Sequence, residues 1–372
     1  MAAPPPASVF APADHAPQRL LIVDDSTVAR AVLTRIATEA GGSIVVGAVP
    51  DVGRALDVLA RKRVDVILLD LEMPGVDGLT GLPALIATGQ GARVLVVSSA
   101  AGDGAAATVQ ALALGAADTL VKPGGSMSSS QFARNLVEKL IRLGERSVVA
   151  PRAVTPASLP ERDIDLVAIG ASTGGIHALM HLFQAVPASF RAPIVVTQHL
   201  PPAFVPFFVG QLSAATGRPC EVARDRMALR DGTIVVAPGD AHVVAVRLPR
   251  GRAAIRLSRE PVANGNMPSV DPMFSSFAEC FGPRLLAVVL SGMGRDGLEG
   301  AGRVRAAGGR VVVQDETSSV VWGMPGAVAA AGLADAIMPP GQIGSLIAAA
   351  AGRPDAGPRP RRWAQTTPVR AR

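Results

Sequence analysis

The chain has no tyrosine, only two tryptophans and two cysteines, and aromatic residues make up 3% of its 372 positions. Each shortage removes a class of function. Cys220 and Cys280 form neither a CxxC pair nor the dense pattern of a disulfide scaffold, so no redox centre, structural zinc site or cystine framework is expected. No apolar run approaches the ~20 residues of a membrane span. Residues 1–17 lack a basic region and are interrupted by Pro4, Pro5, Pro6 and Pro12, so they read as a disordered leader and not as a signal peptide. A cytoplasmic protein that is not inserted in a membrane is expected.

Nucleic-acid binding is excluded by where the charge sits. The net charge is +6, but Arg353, Arg359, Arg361, Arg362, Arg370 and Arg372 stand against Asp355 alone in residues 353–372, leaving the body of the chain almost neutral. A binding face would gather its cations on a folded surface or beside stacking aromatics, whereas these lie in a proline-rich stretch that reads as a solvated, disordered tail. No helix-turn-helix unit accompanies them, which argues against a DNA-binding regulator.

What is present is a regular alternation of short apolar runs and longer amphipathic stretches. Runs at 20–23, 44–46, 66–69, 94–97 and 119–121 predict five strands separated by helices, the pattern of a small doubly wound parallel sheet over residues 18–142. Pro151, Pro156 and Pro160 mark a linker over 143–163. A second α/β domain is predicted over 164–352, with strands at 166–171, 194–197 and 285–290. Strand-rich sequence at 233–257 reads as a hairpin that gives its sheet an antiparallel edge.

In open parallel sheets, chemistry gathers at the carboxyl ends of strands. In the first domain Asp24 and Asp25 follow the first strand, Asp70 the third, Ser98 the fourth and Lys122 the fifth. Clustered carboxylates repel one another, so a hard divalent cation such as Mg2+ is the expected neutraliser. Asp70 is then available to attack a phosphoryl donor, with Ser98 and Lys122 binding phosphoryl oxygens. These residues, with LLDLEMPGVDG and VKPG around them, resemble the receiver domain of bacterial response regulators, a flavodoxin-like fold. The resemblance implies phosphorylation of Asp70 by a histidine kinase, with Asp24, Asp25 and Asp70 holding Mg2+. One departure is Thr119, three positions before Lys122, where receivers often carry an aromatic switch residue.

The second domain opens with LVAIGASTGG, an apolar strand followed by Ser172 set between glycines where the chain must turn into a helix. That arrangement presents a nucleophile at a sheet edge, beside helix-start N–H groups that can receive an oxyanion; a plain helix cap is the competing reading. A serine nucleophile needs a base and an orienting acid. His15 lies in the leader and His242 in the expected hairpin. His177 and His181 have the spacing of HExxH but lack its glutamate, so they read as ordinary helix residues. His199, in TQHLPP, directly follows a strand and is the candidate base. The acid is ambiguous, because SGMGRDG supports two readings. Gly292, Gly294 and Gly297 form GxGxxG after a strand, with Asp315 after the next strand, which matches a dinucleotide fingerprint and suggests a response regulator with a nucleotide-binding output domain. In the other reading the same turn delivers Asp296 to His199.

GASTGG, TQHLPP, VAPGDAH, PSVD, SGMGRDG and VVWGMPG occur in the order seen in the CheB family of chemotaxis protein-glutamate methylesterases, behind a receiver and linker as in that family. The resemblance spans residues 18–350. It implies Ser172 as nucleophile, His199 as base and Asp296 as orienting acid, with backbone N–H groups near Thr173 and Met293 as oxyanion candidates. It also implies hydrolysis of γ-glutamyl methyl esters on chemoreceptors, deamidation of receptor glutamines, CheA as phosphodonor, and no cofactor for hydrolysis beyond the receiver's Mg2+. An unphosphorylated receiver is expected to cover the esterase cleft. Two departures stand out: NGNM precedes Pro268 where relatives often carry a basic HR, and the arginine tail lies outside the pattern.

Overall fold

The computed structural model describes residues 17–99, 102–123, 128–144, 164–248 and 252–350. The expected leader (but for residue 17), the expected linker beyond residue 144 and the arginine tail lie outside the described residues. The chain divides into two compact units, one built on each large sheet.

The first sheet contains β1 (Gln18–Val23), β2 (Ser43–Val49), β3 (Val66–Asp70), β4 (Arg93–Ser98) and β5 (Asp118–Val121), in the order β2-β1-β3-β4-β5. β1 runs parallel to both β2 and β3, and β3 to β4. The connecting helices are α1 (Thr27–Glu39), α2 (Val52–Leu59), α3 (Gly78–Thr88), α4 (Gly102–Ala113) and α5 (Ser129–Gly144). Short polar side chains start several of them: Ser26 accepts from Ala29 N at 3.2 Å, Asp51 from Arg54 N at 2.8 Å and Asp77 from Thr80 N at 2.7 Å. All five residues of β3 are buried, so its VILLD reads as a continuous apolar run with the acid at its end.

The second sheet is larger. In chain order the unit contains β6 (Leu166–Ala171), α6 (Gly175–Gln184), β7 (Ile194–Gln198), α7 (Val205–Thr216), β8 (Cys220–Val222), β9 (Ile234–Val236), β10 (His242–Leu248) and β11 (Arg252–Ser258). There follow α8 (Val270–Phe281), β12 (Leu285–Val289), α9 (Leu298–Ala306), β13 (Arg310–Gln314), α10 (Met324–Ala330), β14 (Ala336–Met338) and α11 (Pro340–Ala349). Seven strands form one sheet in the order β14-β13-β12-β6-β7-β9-β8, and its registered pairs are all parallel. No helix among the described residues is long and apolar enough to cross a membrane.

The stretch expected as one hairpin at an antiparallel edge divides instead. Its first part is β9, a parallel member of the main sheet, and only β10 and β11 pair antiparallel, from His242↔Ser258 to Leu248↔Arg252, as a separate two-stranded ribbon. The ribbon turns Val243, Ala253 and Ile255 into the core shared with Val270, Phe274 and Phe277 of α8, and Ser276 Oγ accepts from Ala245 N at 2.9 Å. Burying that apolar face on a helix gives it no reason to extend the sheet. The outer strands β8 and β14 are three residues each, which keeps the open edges short.

Phe277 is fully buried where α8 meets the ribbon and the sheet. Truncating it leaves a cavity that packed strands cannot close, so Phe277→Ala is expected to lower stability by about 3–5 kcal/mol in urea denaturation. A loss under about 1 kcal/mol would show that this core is loosely packed.

Candidate active site

β6 lies between β7 and β12, where the winding of the second sheet reverses, and the crevice outside such a reversal is where parallel sheets carry their sites. Register brings the loops together. Ala171 pairs with Gln198 and Gly170 with Val289, so the residues that follow, Ser172, His199 and the turn from Ser291, leave the sheet at neighbouring points. Backbone bonds tie them: Ser172 N donates to Ser291 O and His199 N to Ala171 O, both at 3.0 Å. Gly174, with φ +76°, makes the turn into α6 that a residue with a side chain would resist. Gly292 allows the closest approach, since a methyl there would sit 2.9 Å from Ser172 Cβ and against the Met324 sulfur.

Asp296 is fully buried, and its Oδ2 lies 2.7 Å from His199 Nε2. The same oxygen accepts from Val270 N at 2.8 Å. Oδ1 accepts from Ser269 Oγ at 2.7 Å, Asn264 Nδ2 at 2.9 Å and Asp271 N at 3.1 Å. Two of these donors are the first backbone N–H groups of α8, so Asp296 caps that helix from another element and sits in the favourable end of its dipole. Ser269, at the cap position, makes no cap bond of its own because its hydroxyl is given to Asp296. Burial pushes the Asp296 carboxyl up, but the bond and charge of His199 and the bonds from Val270 N and Ser269 outweigh it and hold the group at about 2. The neighbouring Asp271 goes the other way. Burial pushes it up, the Gly300 N–H at 2.8 Å pulls back, and the Asp296 charge adds to the rise, to about 6.

The acid engages Nε2 of His199, so Nδ1 is the nitrogen that remains for a serine proton, the reverse of the chymotrypsin arrangement. No hydrogen bond joins the Ser172 hydroxyl to His199 among the described residues. Catalytic contacts of this kind often tighten only with substrate bound. The Thr173 side chain is buried and its carbonyl accepts from Ser291 Oγ at 2.8 Å. The N–H groups of Thr173 and Met293 meet no protein acceptor among the described residues.

The nucleotide reading of SGMGRDG fails on packing. Gly292 O accepts from both Gly323 N and Met324 N, and Gly292 pairs with Trp322 as a β-bridge, so the 321–324 segment already occupies the face a pyrophosphate would need. Asp315, the acidic residue of that fingerprint, accepts from the Ser318 hydroxyl.

Sequence reasoning missed Gln198, the buried last residue of β7, whose Nε2 donates to Ser172 O at 2.9 Å and His199 O at 3.3 Å, clamping the two loops. It also missed His242, which is buried: its Nδ1 accepts from Ser269 N and its Nε2 bonds Glu260 O, each at 2.9 Å, fixing the approach to α8. Their signal was motif position alone, in TQHLPP and VAPGDAH. His177 and His181 bond to one another, Nε2 to Nε2 at 3.1 Å, as helix residues of α6.

In the first unit Asp24, Asp25 and Asp70 come together with carboxylate oxygens within 4.8 Å of one another. Lys122 Nζ lies 2.6 Å from Asp70 Oδ2, and Ser98 is buried at the end of β4, its carbonyl accepting from Lys122 N at 2.9 Å. Asp24 is buried; Oδ1 accepts from Ser26 N at 2.8 Å while Oδ2 has no partner among the described residues. Burial raises the Asp24 carboxyl and the Asp70 charge adds to the rise, against the Ser26 N–H. A buried orphan oxygen in a three-carboxylate cluster fits a hard divalent cation.

Known proteins share this chain over most of its length. A sequence model of the CheB methylesterase matches residues 167–347, and one of the response regulator receiver domain matches residues 20–128. The protein-glutamate methylesterase/protein-glutamine glutaminase 2 of Caulobacter vibrioides is 42% identical over 343 residues, covering 90% of this chain and 99% of that protein. The corresponding protein of Trichodesmium erythraeum is 39% identical over 345 residues, covering 88% and 97%. Among solved structures, the CheB methylesterase catalytic domain of Thermotoga maritima is 33% identical and covers 50% of this chain and 98% of its own, with a TM-score of 0.48.

Asp271 gives a pH test of this geometry. A carboxyl near 6 in the folded protein and near 3.9 when unfolded binds its proton more readily when folded, so its contribution to stability falls as pH rises from about 4 to 6. Asp271→Asn is expected to gain about 1–2 kcal/mol over wild type at pH 8, discounted for partial exposure, and nothing at pH 3.5. Equal effects at both pH values, read from urea midpoints, would contradict the raised carboxyl.

Proposed function

The chain belongs to the CheB methylesterase family, and from that membership we propose that Ser172, His199 and Asp296 carry out its hydrolytic chemistry. The enzyme is a protein-glutamate methylesterase/protein-glutamine glutaminase joined to a receiver domain. We take the receiver as residues 18–142 and the esterase domain as 164–352.

In this reading Ser172 Oγ attacks the γ-carbonyl carbon of a glutamyl methyl ester on a chemoreceptor. Its proton passes to His199 Nδ1, and the carbonyl electrons move to an oxygen received by the N–H groups of Thr173 and Met293. Collapse breaks the bond to the methoxy oxygen, which takes the proton from His199 and leaves as methanol. Water then attacks the acyl-serine with His199 again as base, releasing glutamate and restoring Ser172. A glutamine side chain follows the same course with ammonia as leaving group. Asp296 stays ionised, holds the imidazole by Nε2 and stabilises the imidazolium. The observation that carries the reading is that His199, next to Ser172 by register, is paired with a fully buried carboxylate held by four further donors.

For the receiver, we propose Asp70 as phosphoacceptor and the histidine kinase CheA as donor, in the cytoplasm. Asp24, Asp25 and Asp70 would hold Mg2+, which when bound screens the carboxylates and the incoming phosphoryl oxygens. Lys122, already against Asp70, and Ser98 would bind the phosphoryl group. Phosphorylation then regulates the esterase by changing charge at one point of a two-state domain.

Ser172→Ala is expected to lower methanol release from methylated receptor membranes by roughly 10⁶-fold, as in comparable triads, with folding retained. Normal turnover would refute Ser172 as nucleophile. Asp70→Asn is expected to abolish the response to acetyl phosphate with Mg2+ while the basal rate on a soluble ester stays within about twofold of wild type. Undiminished activation would place the phosphoacceptor elsewhere.

A further inference from the structure

We propose that Asn264 is a positioning residue for the catalytic acid, holding Asp296 through a donated hydrogen bond at the solvent-facing side of its cage. This rests on the Ser172–His199–Asp296 reading and adds a residue to it. Four donors other than His199 reach the Asp296 carboxylate. Ser269 Oγ, Val270 N and Asp271 N belong to the buried start of α8, whereas Asn264 lies in an exposed turn. Its Nδ2 is 2.9 Å from Asp296 Oδ1 and 3.2 Å from both Ser269 Oγ and Asp271 Oδ2, so one amide bridges the catalytic carboxylate, its hydroxyl partner and the neighbouring acid.

The turn aims that amide. Asn264 Oδ1 accepts from Asn266 N at 3.0 Å, an Asx turn that uses the oxygen and leaves the NH2 group facing Asp296. The residue type matters because an amide both accepts within the turn and donates to the acid, while a carboxylate of the same shape can only accept. Asn264 therefore serves the inside of the site from an exposed turn.

The chemical consequence concerns charge on Asp296. Each donor draws negative charge from the carboxylate and moderates its grip on a protonated His199. Removing the Asn264 donor leaves more charge facing Nε2, which favours the imidazolium over the imidazole that must act as base. Among the described residues, the ionisable groups around the pair are Asp271 at the start of α8, with Glu299 on α9 acting on Asp271, and the exposed Arg295 beside Asp296 in the chain. Among the described residues His242 reaches the cage through Ser269 N.

The test is the pH profile of kcat/KM for methanol release by the full-length protein carrying Asn264→Asp, Asn264→Ala or Asn264→Ser. Asn264→Asp keeps the turn acceptor and the shape but replaces the donor by a charge. The acidic limb is expected to move to higher pH in the order Ser, Ala, Asp, with kcat/KM at pH 7 down about tenfold for Ala, the scale of one hydrogen bond to a charged group. Partial rescue by the serine hydroxyl is part of the expectation. Acidic limbs at the wild-type position in both the Ala and Asp variants, whatever their rates, would overturn the proposal, since a merely structural turn would alter rate without moving the limb. If Asn264→Asp does not fold, the Ala variant decides alone. Failure of wild type itself to release methanol would count against the esterase reading instead, so the two failures are separable.

Discussion

A carboxylate removed entirely from water is the constraint around which the second unit is organised. Asp296 has no exposed surface, and an ion in that position survives only if its lone pairs are taken up. The fold meets this by bringing the start of α8 to it: two backbone N–H groups, the hydroxyl of Ser269 and the amide of Asn264 converge on two oxygens, with His199 on the remaining side. Much else follows. His242 is buried to hold Ser269 N, the β10–β11 ribbon packs on α8 to keep the helix in place, and Gly300 N satisfies the second acid, Asp271, that the arrangement brings close.

The two units put one architectural rule to different chemical uses. Both are parallel sheets wound in two directions, and both gather their candidate site residues outside the carboxyl ends of central strands. In the first unit the gathered groups are carboxylates and a lysine, a set suited to a cation and a phosphoryl group. In the second they are a hydroxyl, an imidazole and one shielded carboxylate. The distinction lies in solvation: among the described residues Asp24 keeps an oxygen without a partner that a cation can take, whereas each Asp296 oxygen already accepts two or more bonds.

Much of this was legible in the sequence, for reasons particular to each residue. Leu166–Ala171 is a continuous apolar run because β6 is buried on both faces, and the glycines after it could only mean a tight turn. Asp24, Asp25, Asp70, Ser98 and Lys122 were readable because each ends a recognisable strand. The separation of β9 from the ribbon was not, since short β-rich runs look alike until their partners are known. SGMGRDG was ambiguous because glycines that admit Ser172 and Met324 look the same in sequence as glycines that admit a phosphate. Gln198, His242, Asn264 and Ser269 act through contacts far along the chain, and neither periodicity nor local spacing carries that information.

The central claim is that His199, paired with Asp296, activates Ser172. The most direct measurement is intact-protein and peptide mass spectrometry after reaction with a fluorophosphonate, comparing wild type with His199→Gln. The account predicts one phosphonyl group per chain, on Ser172 alone, formed at least ~100-fold more slowly without the imidazole. Labelling at another residue, or at the same rate in both proteins, would contradict it.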